Sequence, residues 1–149
     1  MTQHEQLEFK IDRKLMLNAH GNSNWRAEMA KIKKLRHQGK EYGEQVREQR
    51  PIFFDHFSIQ VTIKPPTRRK LDPPNYYPTV KPIIDGLTDA GWWQDDNFAY
   101  MVETSFRYGG LAGLKLPDGK NDNNTFRVIL DIYEVHDTSS FITIPEFFS

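Results

Sequence analysis

Alternation of apolar and polar residues predicts four β-strands in this chain. The clearest is residues 57–64, where apolar side chains at every second position alternate with Ser, Gln, Thr and Lys, as in a strand with one buried face. Residues 125–135 repeat this pattern, residues 98–107 predict a third strand, and residues 9–17 form a more weakly patterned first strand. The inward-facing positions of the last strand are expected to be Phe126, Val128, Leu130 and Ile132.

An apolar period of three to four residues predicts a first α-helix over residues 25–47. Ser23 or Asn24 is suited to cap its first turn, because a short polar side chain can accept from the free backbone N–H groups there. Gly39 and Gly43 weaken the middle of the helix, where we expect a bend or a break.

A second helix is predicted to end at about Ala90. Val80, Ile83, Ile84 and Leu87 make its apolar stripe, Pro78 suits its first turn, and Gly91 stops it. The element order is then β-α-β-α-β-β. The economical packing of these elements is an α/β (α+β) fold, with two helices on one face of a small mixed four-stranded sheet.

The chain length of 149 residues fits one domain, which we place at residues 1–137. Residues 108–124 are rich in Gly, Asn and Asp and are expected to form a mobile surface loop. Residues 138–149 are an apolar tail, interpreted either as a dimer arm or as a docking segment that covers an apolar patch.

Composition removes several classes of function. The chain contains no cysteine, so disulfide frameworks and thiolate zinc sites are excluded. It shows neither a signal-peptide pattern nor a long uncharged apolar run, so a cytoplasmic location without a membrane is expected. The net charge is zero but segregated. Six basic residues and one acid lie in residues 26–40, four basic residues and no acid in 64–70, and four acids without Lys or Arg in 131–149.

Residues 68–97 carry the candidate chemistry. Arg68, Arg69 and Lys70 end the second strand, Asp72 follows within four residues, and a helix then leads to the adjacent acids Asp95 and Asp96. Carboxylates from separate loops can converge on Mg²⁺, which prefers oxygen ligands and can activate water beside a phosphate. The three basic residues would bind flanking DNA phosphates.

Lys81, one turn into the second helix, is placed to stabilise negative charge on such a phosphate. Composition and spacing alone leave simpler interpretations open. Asp-Pro-Pro-Asn is also a turn that caps a helix, Asp95-Asp96 also suits a solvated loop, and Lys81 is also an ordinary partner of Asp85 four residues on.

The run RRKLDPPNYYPTVKPIIDGLTDAGWWQDD resembles the core of the RusA-like Holliday junction resolvases. Members typically show an arginine-rich strand end, an Asp-x-Asp-Asn-type motif, a helix ending Asp-Gly/Ala-Leu-x-x-Ala-Gly, and then Asp-Asp. The resemblance covers roughly residues 57–135. It implies a homodimeric, Mg²⁺-dependent endonuclease of recombination and repair, often from a phage or prophage, that cuts four-way DNA junctions. Mn²⁺ is an alternative ion.

Carried over by position, the resemblance makes Asp72 and Asp96 catalytic metal ligands and Lys81 a catalytic lysine. Asn75 matches the motif asparagine and Asp95 lies beside the later acid.

The second motif acid is replaced by Pro74, which cannot ligate a metal through its side chain. Asn75, Asp95 or Asp85 would then supply the missing ligand. We favour retained activity, with a non-cleaving binder of branched DNA as the alternative.

Two further features have alternative interpretations. Lys33 and Lys34 on the basic face of the first helix would either lie along a DNA arm or face solvent. Trp92 and Trp93 would either pack against the second helix as a hydrophobic lid or stack on bases at an opened junction.

Overall fold

A computed structural model describes residues 3–19 and 24–136, which fold into a four-stranded sheet with two helices. Its elements are β1 (His4–Asp12), α1 (Trp25–Gln49), β2 (Phe57–Lys64), α2 (Tyr77–Asp89), β3 (Met101–Tyr108) and β4 (Thr125–Glu134). The predicted fold class and element order are confirmed. The predicted tail at residues 138–149 and the alternative cap Ser23 lie outside the described residues. No helix in the described ranges is long and apolar enough to cross a membrane.

The sheet has the order β1-β4-β2-β3. Strand β4 pairs antiparallel with both β1 and β2, whereas β2 and β3 are parallel and are connected through α2. Helix α2 is the crossover between these two parallel strands. The residues after β2 therefore lead into its N-terminus, and the residues before β3 follow its C-terminus. These are the segments that carry the predicted site.

The core lies between the helices and one face of the sheet. Phe126, Val128, Leu130 and Ile132 are all buried, as their alternation predicts. The opposite face is polar, and Asp131, which is 4% exposed there, accepts hydrogen bonds from His4 and Gln6. Only one face of the sheet is therefore covered by helices among the described residues.

The first strand begins and ends five residues earlier than the predicted range 9–17. It spans His4–Asp12, because Leu7 joins Phe9 and Ile11 in the core. It ends where the Asp12 carboxylate accepts from the backbone N–H of Lys14 and caps a short 3₁₀ turn at Arg13–Leu15. The apolar residues that follow the turn had extended the predicted strand too far.

The break expected as one possibility in α1 is absent, since the helix is continuous from Trp25 to Gln49, and Gly39 and Gly43 serve the packing around α2. A Cβ atom at Gly39 would lie 2.4 Å from the carbonyl oxygen of Ile83, and one at Gly86 would lie 2.2 Å from that of Arg36. The two helix backbones thus touch at glycines, which admit the close approach that any side chain would block. Asn24 caps α1 by accepting from Arg26 N–H.

The segment 109–124 lies on the surface and is held by backbone hydrogen bonds at several points. Ala112 N–H donates to the carbonyl of Pro65, and Asp122 N–H donates to that of Leu114. The Asp122 carboxylate then accepts from the hydroxyl and backbone N–H of Thr125 at the start of β4. The pKa of Asp122 is lowered by its hydrogen bonds with Asn124 N–H and with Thr125.

Candidate functional site

The second helix places Lys81 and Asp85 on one face, four residues and about one turn apart. The Lys81 ammonium donates to Asp85 Oδ1 at 2.7 Å and to Asp96 Oδ2 at 2.5 Å. Asp96 reaches it from the loop that follows the helix. We call these three residues the acidic cluster. Two carboxylates and one cation, separated by up to 15 residues in sequence, thereby meet at one place.

Burial makes this contact more than a solvated surface pair. The side chain of Asp96 is 11% exposed, while those of Asp85 and Lys81 are 28% and 40% exposed. The pKa of Lys81 is raised: desolvation by burial works to lower it, but the hydrogen bonds and charges of Asp85 and Asp96 together outweigh that effect. The lysine is accordingly a firmly protonated cation.

The loop that carries Asp96 is anchored by Trp92 and Trp93, which are 0% and 2% exposed. The indole N–H of Trp92 donates to the carbonyl of Gly43, and that of Trp93 donates to the hydroxyl of Thr88. Trp93 also stacks on Phe57, with ring centroids 3.9 Å apart. The packing interpretation of the two tryptophans is confirmed, and stacking on bases is wrong for rings buried in this way.

Asp95 lies beside the acidic cluster but is used within its own loop. One carboxylate oxygen accepts from Asp96 N–H at 2.7 Å, and the other accepts from the Asn97 side chain at 3.1 Å. Asn97 then accepts from Ala99 N–H and begins the turn that leads into β3. Asp95 therefore orders the loop that presents Asp96, and its carboxylate remains exposed.

Asp72 and Asn75 lie at the N-terminal end of α2, where a 3₁₀ turn at Pro73–Tyr76 precedes the helix. The turn predicted for Asp-Pro-Pro-Asn forms, with Asn75 N–H donating to the carbonyl of Asp72, but the exposed Asp72 carboxylate makes no capping bond. A cavity of about 480 Å³ at this end is lined by Asn18, Arg69, Lys70, Leu71, Asp72, Asn75 and Tyr76. The structure thus joins Asp72 and Asn75 to two of the predicted phosphate-binding residues.

The remaining predicted residues are exposed. Arg68, Arg69 and Lys70 lie in the segment between β2 and the 3₁₀ turn, and Arg69 sits over the ring of Phe126 at 5.9 Å. Lys33 and Lys34 are exposed on α1. Within residues 3–19 and 24–136, no three His, Cys, Asp or Glu side chains are grouped to hold a metal ion.

Sequence reasoning therefore identified a lysine and an acid that meet, Lys81 and Asp96. It treated Asp85 mainly as a helix-surface partner of Lys81, and the structure shows that ion pair. It did not foresee that the same ammonium also contacts Asp96. The i,i+4 spacing of Lys81 and Asp85 was the available signal. No sequence signal shows that a loop 11 residues beyond Asp85 returns to that helix face.

No protein-family model matches this chain, and no curated protein matches it significantly. The likeness to RusA-like resolvases consequently stays a prediction from the sequence motifs.

Proposed function

We propose that this protein is a Mg²⁺-dependent endodeoxyribonuclease that cuts four-way junctions or other branched DNA. The observation that carries the proposal is the double contact of Lys81 with Asp85 and Asp96, which gathers a cation and two acids from separate parts of the sequence. Basic residues and a further acid, Asp72, lie at the N-terminal end of the same helix.

The donor chemistry of this region fits a hard divalent cation. Asp85 and Asp96 each turn one carboxylate oxygen toward the same nitrogen atom, so the two oxygens are near each other. Oxygen donors of this kind are the ligands that Mg²⁺ prefers. In the proposal Asp72 and Asp96 are ligands, Asp95 and Asn75 support them, and Asp85 supplies the acid that Pro74 does not. Metal binding would have to complete this set, because no three of these acids are grouped in the described residues.

The chain's own residues then have distinct tasks. Bound Mg²⁺ would polarise the scissile phosphate and lower the pKa of the attacking water. Lys81, a protonated cation at neutral pH, would turn from its two carboxylates to the phosphate oxygen on which negative charge develops. Arg68, Arg69 and Lys70 would hold neighbouring phosphates by charge.

A nicking assay on a synthetic four-way junction with Mg²⁺ tests the proposal. We expect Asp96→Asn to reduce cutting at least a hundredfold while junction binding is retained, because the substitution removes a charged oxygen but keeps the shape of the side chain. Asp89→Asn is the matched control. Asp89 is another α2 carboxylate paired with a cation, Arg36, and lies outside the acidic cluster. Wild-type cutting by Asp96→Asn would place the site elsewhere.

A non-cleaving binder of branched DNA is the second candidate. It is favoured by Pro74, which is exposed at the position where the resemblance expects an acid. Binding of the junction by the wild-type protein without any cutting, at enzyme excess and with either Mg²⁺ or Mn²⁺, would select this candidate.

We also propose that two copies act as a homodimer, since a junction presents two symmetry-related strands for paired cuts. Sedimentation velocity on the full chain at micromolar concentration gives the test. A monomer that nevertheless cuts both strands in one encounter would contradict the dimer.

A further inference from the structure

A second cavity adjoins the one beside Asp72. It measures about 430 Å³ and is lined by Arg13, Lys14, Met16, Asn18, Arg69, Tyr76 and Phe126. Asn18, Arg69 and Tyr76 line both cavities, so the two lie side by side. We call the combined depression the basic groove. It extends from Asp72 and Asn75, through Arg69, to the 3₁₀ turn that follows β1.

The walls of the basic groove are fixed to each other although they come from three distant parts of the sequence. The hydroxyl of Thr79 donates to the carbonyl of Leu17 and accepts from its N–H, and Ala19 N–H donates to the carbonyl of Asn75. On the other side, Arg13 N–H donates to the carbonyl of Asn124 at 2.7 Å. The basic side chains are therefore mounted on an ordered backbone.

The charge of the groove is largely uncompensated. Arg13, Lys14, Arg69 and Lys70 are exposed, and in the described part of the chain none of them forms an ion pair. Asp72 is the one acid among the residues that line the two cavities. Other arginines, such as Arg36 and Arg127, are paired with carboxylates. Four unpaired cations in a concave site attract an external anion.

We infer that the basic groove binds the phosphate backbone of one DNA arm, with Arg13 and Lys14 contacting phosphates beyond those held by Arg69 and Lys70. The inference rests on the proposed function, because it names the surface along which the DNA leaves the site. A concave, elongated shape suits a polymer of phosphates better than a flat anionic membrane. The Arg69 guanidinium, lying over Phe126, is held in orientation by a cation–π contact.

The test is a salt titration of DNA binding, read by fluorescence anisotropy with labelled duplex and labelled junction in EDTA, where no metal-dependent cutting can occur. The variant is Arg13→Gln/Lys14→Gln. Its charge-matched control is Lys10→Gln/Lys120→Gln, which removes the same charge from exposed positions outside the groove and outside the basic face of α1. Both substitutions in the variant spare the backbone hydrogen bonds described above, and thermal unfolding followed by circular dichroism verifies folding.

We expect the variant to bind both DNAs about tenfold more weakly at 0.1 M salt. The slope of log K against log salt should become shallower by about 1 to 2, since each lost phosphate contact contributes about 0.9. The control should change affinity less than twofold. An unchanged slope, an equal effect in the control, or no DNA binding by the wild type at low salt would overturn the inference. Groove-dependent binding to phosphatidylserine vesicles in place of DNA would also overturn it.

The two proposals fail separately. If the wild type binds through the groove but cuts no junction with Mg²⁺, the nuclease proposal fails and the groove inference stands. If the wild type cuts and Arg13→Gln/Lys14→Gln binds with the wild-type slope, the groove inference fails and the nuclease proposal stands.

Discussion

Two regions along α2 differ in how charge is balanced: the acidic cluster on its middle turns and the basic groove at its N-terminal end. In the acidic cluster, Lys81 is held between Asp85 and Asp96, and the acid of the loop is mostly buried. In the basic groove, four exposed cations face the single acid Asp72. In the first region the one cation is paired within the protein, whereas the second carries four cations against one acid and so attracts an anionic partner. One helix thus connects the acidic cluster with a surface suited to bind a polyanion.

The substitution with the largest expected effect is Asp72→Asn, because Asp72 lies in the basic groove yet is proposed to act with Asp96. We expect junction cutting to fall at least a hundredfold, since a metal ligand is lost. The free energy of unfolding should change by less than about 0.5 kcal/mol, because the side chain is exposed and makes no capping bond. Cleavage kinetics and urea unfolding measure the two effects.

Asp118→Asn is the matched control for Asp72→Asn, since Asp118 is an exposed acid whose carboxylate accepts from Lys120 N–H in a surface turn. Cutting by Asp72→Asn at the control rate would show that the basic groove and the acidic cluster work independently and that the acids of the cluster suffice.

An intermediate effect is expected from Lys81→Met, which leaves Asp85 and Asp96 facing each other without a cation. The free energy of unfolding at pH 7 should fall by about 1 kcal/mol, because two close like charges repel. Mg²⁺ should raise the melting temperature of this variant more than that of the wild type, since a divalent ion can replace the ammonium. Equal stabilisation of both proteins by Mg²⁺ would argue against a metal at the cluster.

The pH dependence of the same pair of proteins has a defined sign. Because the folded-state pKa of Lys81 is raised above its ordinary value of 10.5, its stabilising contribution is complete below 10.5 and is lost as pH rises through the folded pKa. The stability difference between the wild type and Lys81→Met should therefore persist at pH 9 and shrink above 10.5. A difference that already disappears between pH 7 and 9 would contradict this assignment.

The smallest effect is expected from Asp89→Asn, which removes the bidentate contact with Arg36 that joins α2 to α1. The loss should be below about 1 kcal/mol at pH 7, as for other exposed pairs. The pKa of Asp89 is lowered chiefly by its hydrogen bond with Arg36, so the contribution is present above the ordinary value of 3.8 and is lost as pH falls through the lowered pKa. Urea unfolding at pH 7 and pH 2 should show a smaller difference at pH 2 than at pH 7.

Periodicity was sufficient for the elements that bury one face. The alternating residues of β2 and β4 and the apolar stripe of α2 predicted those elements closely, because burial of a regular stripe is decided by local spacing. Gly39 was misinterpreted because its propensity describes an isolated helix, whereas its role depends on a second helix 44 residues later at Ile83. A contact of that kind leaves no local pattern.

The same limit applies to the site: local motifs identified residues, but contacts between distant segments left no pattern. Lys81 and Asp96 were recognised as site residues through a run of neighbouring motifs, but no local pattern showed that their side chains meet. The groove residues Arg13 and Lys14 were not recognised as site residues, because they come near Arg69 only through the packing of the segment after β1 against the start of α2. A pair of basic residues in that turn is unremarkable until the fold supplies the opposite wall.

The glycine crossing of α1 and α2 has a consequence for how this chain can vary. At Gly39 and Gly86 no spacer separates the two backbones, so even one methyl group at either position would wedge the helices apart. Since α2 bears Lys81 and Asp85, such a wedge would lift both side chains away from the loop that presents Asp96. The exposed faces of the helices can accept many substitutions, but the alignment of the acids depends on two positions where a side chain has no room.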